Sequence, residues 1–391
     1  MDGQITGSVR AGILTYHFSD NFGAMMQAYG LRTWLRRLGV EAEFVNYHPS
    51  HVENGGGFRV PTGPRAIRAN AKILYLKAAA ARRRLFGEKE QAAKIAAFRA
   101  EDLGIAGPRF RTREEVDGFL AETRPDLLIC GSDQIWAPSQ QYGIDPVYYL
   151  SLPGARGTRR VSYAPSLGRA SLDATYEAEA ARHLREFDGL SVREPSGAAI
   201  VSRLTGRADV ACVPDPTILL GDYSDLAARG GDVGEGHVFC YALRTGQGIR
   251  QVAEAARDLT GARILSPDNP HRRWVEIGET VHPSPAEWVA HAARARYVVS
   301  NSFHGTVFGI LFRKPFVTVA LPGARGALNE RSLSLLTALG LEDRFVDGAD
   351  RERTRRVLEA PIDWSAAGTR LAAMQATGRG WLADQIARVA A

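Results

Sequence analysis

The stretch from Tyr297 to Ala320, YVVSNSFHGTVFGILFRKPFVTVA, constrains the fold more than any other. Tyr297-Val298-Val299 is a short apolar run of the kind buried on both faces of a parallel sheet. Ser300-Asn301-Ser302 breaks it with residues whose side chains bond nearby backbone at turns and helix N-caps. The apolar run from Thr306 to Phe312 reads as a helix. Arg313 and Lys314 at its end suit the negative pole of the helix dipole, and Pro315 stops it. Phe316 to Ala320 reads as the next strand. A strand–turn–helix–strand unit leaves His304 and Gly305 at the turn. Open α/β sheets hold ligands there, against free N–H groups of the helix. His304 in that place either meets an anionic ligand or merely caps the helix.

The same alternation fills the rest of the chain. Ala11 to Thr15 reads as a strand, followed by Tyr16 to Gly23 and a helix from Ala24 to about Leu38, with Met25, Ala28, Leu31 and Leu35 at helical spacing. Glu43 to Tyr47 reads as the next strand. The unit lacks G-x-G-x-x-G; Asn21 and Gly23 either shape a ligand loop or only form the turn. Asp126 to Cys130 is a buried strand running into Gly131-Ser132-Asp133-Gln134-Ile135-Trp136. Asp133 and Gln134 can bond sugar hydroxyls and the Trp136 indole can stack on a sugar face; a helix cap beside a core tryptophan is the competing reading. Arg160 to Ala164 and Gly189 to Val192 are further strands. Arg193 follows the second of these, beside a helix that starts near Pro195. It either grips a carboxylate or phosphate bidentately or pairs with Glu194 or another acid. Asp209 to Val213 closes this half, before Pro214-Asp215-Pro216.

The Gly/Asp-rich segment from Gly221 to Gly236 reads as a linker. Strands over 237–243 and 263–265 follow, then a loop over 267–280. Ser284-Pro285-Ala286-Glu287 opens a helix as a capping box. Asn329 to Leu339 is a helix carrying Arg331. A long amphipathic helical region runs from Trp364 to the end, interrupted at Gly378 and Gly380. Alternating strands and helices in both halves predict two parallel sheets covered by helices. The implied domains are 1–220, carrying a basic helical insertion over 65–101, and 236–363, with 364–391 as a C-terminal helix.

The 391 residues suffice for two cores. Lys+Arg exceeds Asp+Glu by 49 − 43 = 6. That mild excess suits acidic small molecules or a membrane surface and is too diffuse for nucleic acid. In the insertion the run Arg82-Arg83-Arg84 joins Arg65, Arg68, Lys72 and Lys77; it is a solvated face or a peripheral contact with anionic lipid. Cys130, Cys212 and Cys240 lie in apolar runs without paired spacing and read as reduced core residues. No apolar run reaches spanning length, and the first residues lack the apolar core of a signal peptide, so a cytoplasmic, at most membrane-associated, protein is expected. P-loop, HExxH, G-x-S-x-G and Cys/His metal spacings do not occur, so no metal site is expected.

Six segments in order, GILTYHFSDNFGAMMQAYGL, DLLICGSDQIW, SYAPSLG, SVREPSG, VPDPTILL and SNSFHGTVFGILFRKPF, resemble the polysaccharide pyruvyl transferase family. The likeness runs from about Ala11 to Phe345. It implies a GT-B-like architecture, two Rossmann-like domains facing a cleft, with the C-terminal helix packing back on the first. It implies phosphoenolpyruvate as donor substrate, no separate cofactor, and a sugar or lipid-linked oligosaccharide as acceptor, with a pyruvate ketal as product. Positions matching His304 and Arg193 become the catalytic candidates. Asn301, Ser302, Gly305 and Arg331 would lie on the donor side, and Asn21, Gly23, Asp133, Gln134 and Trp136 on the acceptor side. Phe303 stands where many relatives carry arginine or leucine, so Arg331 or Arg313 would supply the missing cation. A nucleotide-sugar glycosyltransferase of the same architecture, or a non-catalytic protein of an envelope pathway, are the rival readings.

Overall fold

The computed structural model describes residues 8–53, 55–86, 88–139, 142–268 and 275–390. Its strands are β1 (Arg10–Leu14), β2 (Glu41–Phe44), β3 (Leu127–Cys130), β4 (Arg159–Ser162), β5 (Ser191–Val192) and β6 (Ala211–Cys212) in the first half. The second half holds β7 (Val238–Tyr241), β8 (Ile264–Pro267), β9 (Glu279–Val281), β10 (Tyr297–Ser300), β11 (Phe316–Val319) and β12 (Phe345–Val346). The expected α/β class holds, with every strand pair parallel.

The first sheet runs β2-β1-β3-β4, and the β5-β6 ribbon joins its edge through a bridge between Val161 and Gly189. The second runs β12-β11-β10-β7-β8-β9, which in chain order is the 3-2-1-4-5-6 arrangement of a dinucleotide-binding sheet. Strand order reverses between β1 and β3 in the first sheet and between β7 and β10 in the second. Ligands of open α/β sheets bind outside the carboxyl ends at such reversals. The segments after β3 and β10 are those carrying Asp133 and His304.

The halves are held together by one apolar core. Phe22 of the helix Phe22–Arg37 stacks on Trp288 of the helix Pro285–Arg294, with centroids 5.6 Å apart and planes 8° apart. The C-terminal helix Trp364–Ala390 returns to the first half as expected. Gln375 Nε2 donates to the Ile218 carbonyl at 3.0 Å, and Arg159 Nη2 to Gln385 Oε1 at 2.7 Å. This helix is not interrupted at its glycines. A Cβ at Gly378 would stand 2.6 Å from the Tyr163 hydroxyl, so that glycine lets the helix approach the first half instead of breaking.

Other expectations are corrected. Helix Phe22–Arg37 starts before Ala24 because Asn21 caps it, its Oδ1 accepting from Ala24 N at 3.1 Å. The segment read as a linker contains a helix, Ser224–Arg229, with Leu226 and the preceding Tyr223 buried. Part of the loop expected over 267–280 pairs as β9, while 269–274 lie outside the described residues. Cys130 and Cys240 are buried, but Cys212 is exposed, because β6 is the outer strand of a two-stranded ribbon. Among the described residues no helix is long and apolar enough to cross a membrane, and no His/Cys/Asp/Glu group fits a metal ion.

Candidate active site

His304 lies in the first turn of the helix Phe303–Leu311, one turn earlier than the apolar run suggested. The helix starts there because the Ser302 carbonyl already accepts from Thr306 N at 3.0 Å. The imidazole is buried against the first half. A Cβ on Gly23 would fall 2.1 Å from His304 Nδ1, so only glycine fits under the ring. On the other side, His304 Nε2 stands 3.6 Å from Asp215 Oδ2. That exceeds hydrogen-bond length, so the contact is a charge contact rather than a bond.

Asp215, fully buried, is the hub that the sequence reading did not single out. It follows β6 and caps the helix Pro216–Leu220. Its Oδ1 accepts from Thr217 N at 2.9 Å and Thr217 Oγ1 at 2.7 Å. Its Oδ2 accepts from Arg193 Nη1 at 2.8 Å and from Ser132 Oγ at 3.1 Å. Burial by itself would raise this carboxyl. The neighbouring charge of His304, with Arg193 and the hydrogen bonds, outweighs it and holds the group well below the usual carboxylate range. Ser132 N donates in turn to Gln27 Oε1 at 3.0 Å, and Gln27 Nε2 to Thr15 Oγ1 at 2.9 Å. A buried hydrogen-bonded chain thus runs from the β1/β3 reversal to the aspartate.

Arg193 takes the ion-pair reading, with one nitrogen left over. Its Nε donates to Glu194 Oε1 at 2.9 Å, its Nη1 to Asp215, and its guanidinium lies 4.6 Å over the Phe303 ring. Phe303 is therefore the stacking platform of this arginine. Arg331 is the second buried cation. With the Gln134 amide turned to face it, Gln134 Oε1 accepts from both Arg331 Nη1 and Nη2 at 2.9 Å. Burial, together with the nearby Arg193, brings Arg331 down to about 10, so it stays protonated at neutral pH. Arg313 does not join the cluster. It is exposed, and its guanidinium faces Gly368 of the C-terminal helix.

Three buried nitrogens here have no hydrogen-bond partner among the described residues: Arg193 Nη2, Arg331 Nε and His304 Nε2. A buried donor left unpaired costs about 1–3 kcal/mol. Buried donors left without partners suit a polyanion with several oxygens.

Several expected ligand contacts resolve as scaffold. Trp136 is buried, stacked on Tyr149 at 5.3 Å, and donates Nε1–H to the Tyr148 carbonyl at 3.0 Å. It cannot stack on a sugar. Asn301 uses both ends of its amide, accepting from Leu243 N and donating to the Arg244 carbonyl, each at 2.8 Å. It ties β10 to the segment after β7. Gly305 permits close packing, since a Cβ would meet Ser300 Oγ at 2.1 Å. The Ser302 hydroxyl makes no cap bond. Asp133 adopts φ +65° and turns its carboxylate back onto Gln134 N at 2.8 Å. Gly23 seats His304, and Asn21 caps the helix Phe22–Arg37. Signals for the missed Asp215 and Ser132 existed: an aspartate before proline after a strand, and a serine at a strand end. Nothing local says that they meet.

A cavity of about 550 Å³ lies elsewhere, lined by His51, Arg59, Arg111, Arg113 and Tyr142 among others. It contains none of the cluster residues. Its arginines are exposed, so the buried cluster has the stronger claim to chemistry.

Fold and site together define a two-sheet parallel α/β protein with the GT-B-like layout and a buried, cation-rich site where the halves meet. Comparison with protein families matches residues 21–321 to "Polysaccharide pyruvyl transferase", and the chain belongs to that family. A search of curated protein sequences finds no match. Among solved structures it is similar to the UDP-GlcNAc 2-epimerase from Methanocaldococcus jannaschii, with 8% identity, 91% of this chain and 93% of that one covered, and TM-score 0.48. It is also similar to S. aureus MnaA in a structure with UDP, at 10% identity, 95% and 92% coverage and TM-score 0.47. A third is E. coli ADP-heptose LPS heptosyltransferase II, at 10% identity, 93% and 99% coverage and TM-score 0.37.

Proposed function

We propose that the chain transfers the pyruvyl group of phosphoenolpyruvate onto two hydroxyls of one sugar in a surface polysaccharide or its lipid- or nucleotide-linked precursor. The observation that carries this reading is that buried nitrogens of Arg193, Arg331 and His304 have no partner among the described residues, while Arg193 and His304 both face Asp215. Phosphoenolpyruvate brings a phosphate and a carboxylate on adjacent groups, an anion for which two guanidiniums and a helix N-terminus are suited.

In this reading His304 delivers a proton to the methylene carbon. The central carbon becomes oxocarbenium-like and takes one sugar hydroxyl, whose proton returns to His304. Phosphate then leaves with the C–O bonding pair and takes the proton of the second hydroxyl as that oxygen closes the ketal. Asp215 Oδ2, 3.6 Å from His304 Nε2, is the acid that faces the ring on the side away from Gly23. Arg193 and Arg331 hold the anionic groups. Gly23 and Phe303 position His304 and Arg193.

The test is thermal stabilisation by millimolar phosphoenolpyruvate in the native chain and in Arg331→Gln, with UDP alongside. Ligand at about a hundred times its Kd adds roughly 2.7 kcal/mol. A shift with phosphoenolpyruvate that the variant loses supports the proposal. A shift with UDP alone overturns it in favour of a nucleotide-sugar enzyme. Arg331→Gln is cleaner than Arg193→Ala, which also breaks the pair with Asp215.

A further inference from the structure

The helix Pro64–Phe86 carries seven basic residues and no acidic one. Arg65, Arg83 and Arg84 have side chains outside the described residues, so geometry rests on the others. Ala69 and Ile73 are buried and face the protein. A second apolar stripe faces away: Ile67, Ala71, Leu74, Ala78, Ala81 and Leu85, all exposed and spaced alternately four and three residues apart. Ile67 is 57% exposed, Leu74 62% and Leu85 69%. In the loop before the helix, Phe58 is 60% and Val60 76% exposed.

Cations flank this stripe. At 100° per residue Arg68, Lys72 and Arg82 fall on one side of it and Lys77 on the other. Lys72 Nζ lies 5.3 Å from the Tyr75 ring centroid and Lys77 Nζ 5.9 Å from that of Phe58. An apolar band between rows of Lys and Arg is the pattern of a helix lying in a lipid interface. The four–three spacing also suits pairing with a second copy. That occupant would bring seven further cations against these seven with no carboxylate on either helix. Like charges beside a coiled-coil seam oppose association. Anionic headgroups bring charge opposite to these seven cations, and acyl chains accept the apolar band.

We propose that the Pro64–Phe86 helix, with Phe58 and Val60, docks the protein on an anionic lipid surface. It enters as a peripheral contact, with Leu74 and Leu85 at the depth of the acyl boundary and the lysines at the headgroups. The inference does not depend on which donor the buried site uses.

The test is flotation of the full chain with vesicles of phosphatidylcholine alone and of phosphatidylcholine mixed with phosphatidylglycerol. Binding to the mixed vesicles only, weakened by salt, is expected. Two variants are then compared, Leu74→Asp/Leu85→Asp and Lys72→Glu/Lys77→Glu/Arg82→Glu. Each should weaken vesicle binding by roughly tenfold or more. Circular dichroism and Tm should stay those of the native chain, since these side chains lie at the surface. Equal binding to both vesicle types, no binding to either, or binding that neither variant weakens overturns the proposal. So does a dimer in light scattering that Leu74→Asp dissolves in the absence of lipid.

Discussion

The cluster around Asp215 and the cavity beside His51 both gather arginine, and they are built in opposite ways. At Asp215 the cations are buried, and Arg193 donates from Nε and Nη1 to Glu194 and Asp215. At the cavity Arg59, Arg111 and Arg113 are exposed and line a space of about 550 Å³. The exposed arginines of this cavity do not by themselves locate chemistry. Desolvated charge does, because a guanidinium taken out of water stays charged only where the fold supplies counter-groups, and groups so held are fixed in position.

The contrast is most easily broken at its hub. Asp215→Ala leaves Arg193 and His304 buried without their acid, and removal of one partner of a buried pair costs about 3–5 kcal/mol. Urea denaturation should show that loss, while Arg113→Ala at the cavity should stay close to the native curve. An Asp215→Ala chain as stable as the native one would mean that the cluster is not the tight structure described here.

His304→Ala separates chemistry from stability. Turnover in a pyruvyl-transfer assay should fall roughly 10²–10⁴-fold, the range of a lost general acid, with little change in Tm. Gly23→Ala should lower turnover in the same direction with His304 intact, since the added Cβ would displace the ring. Full turnover in both would remove His304 from the mechanism.

A third measurement sharpens the contrast between buried histidines. Among the described residues no acid acts on His17. It bonds to Asn46 and the Thr15 carbonyl, and burial pushes it down to about 4. Its folded value lies below the ordinary one near 6.5, so its contribution to stability is complete above pH 6.5. That contribution is lost as pH falls toward 4, where the unfolded chain binds the extra proton. From pH 6.5 to 5 the loss should be roughly 2 kcal/mol, and His17→Gln should flatten that slope in thermal melts. A slope unchanged by the substitution would assign it to other histidines.

The smallest effect concerns Trp136. Trp136→Phe keeps the ring in the core and removes the bond to the Tyr148 carbonyl, for a cost of about 1 kcal/mol. The acceptor KM should not change. A raised KM would restore Trp136 to the acceptor site.

Much of this was legible in the chain. The strands around His304 and the capping box at Ser284–Glu287 are local, because apolar runs and caps act over a few residues, and structure keeps them. Boundaries moved where a cap overrode the apolar pattern, at Asn21 and at Ser302. Roles moved where long-range packing decided. The loop DLLICGSDQIW reads equally as ligand-facing or as core, and only the aromatic neighbours Tyr148 and Tyr149 settle Trp136 as core.

By itself the sequence determined the alternation of elements, the two parallel sheets, a C-terminal helical region and the positions of His304 and Arg193 at strand ends. Hydrophobic period, turn chemistry and capping are properties of neighbours in the chain, and they can be read there. Only the tertiary structure decided that Asp215 joins Arg193 to His304, that Gly23 seats the imidazole, and that Arg331 rather than Arg313 is the second buried cation. Those contacts bring together residues from different elements, 22 positions apart for Arg193 and Asp215 and far more for Gly23 and His304. Their partners are chosen by how two sheets meet, which no local pattern encodes.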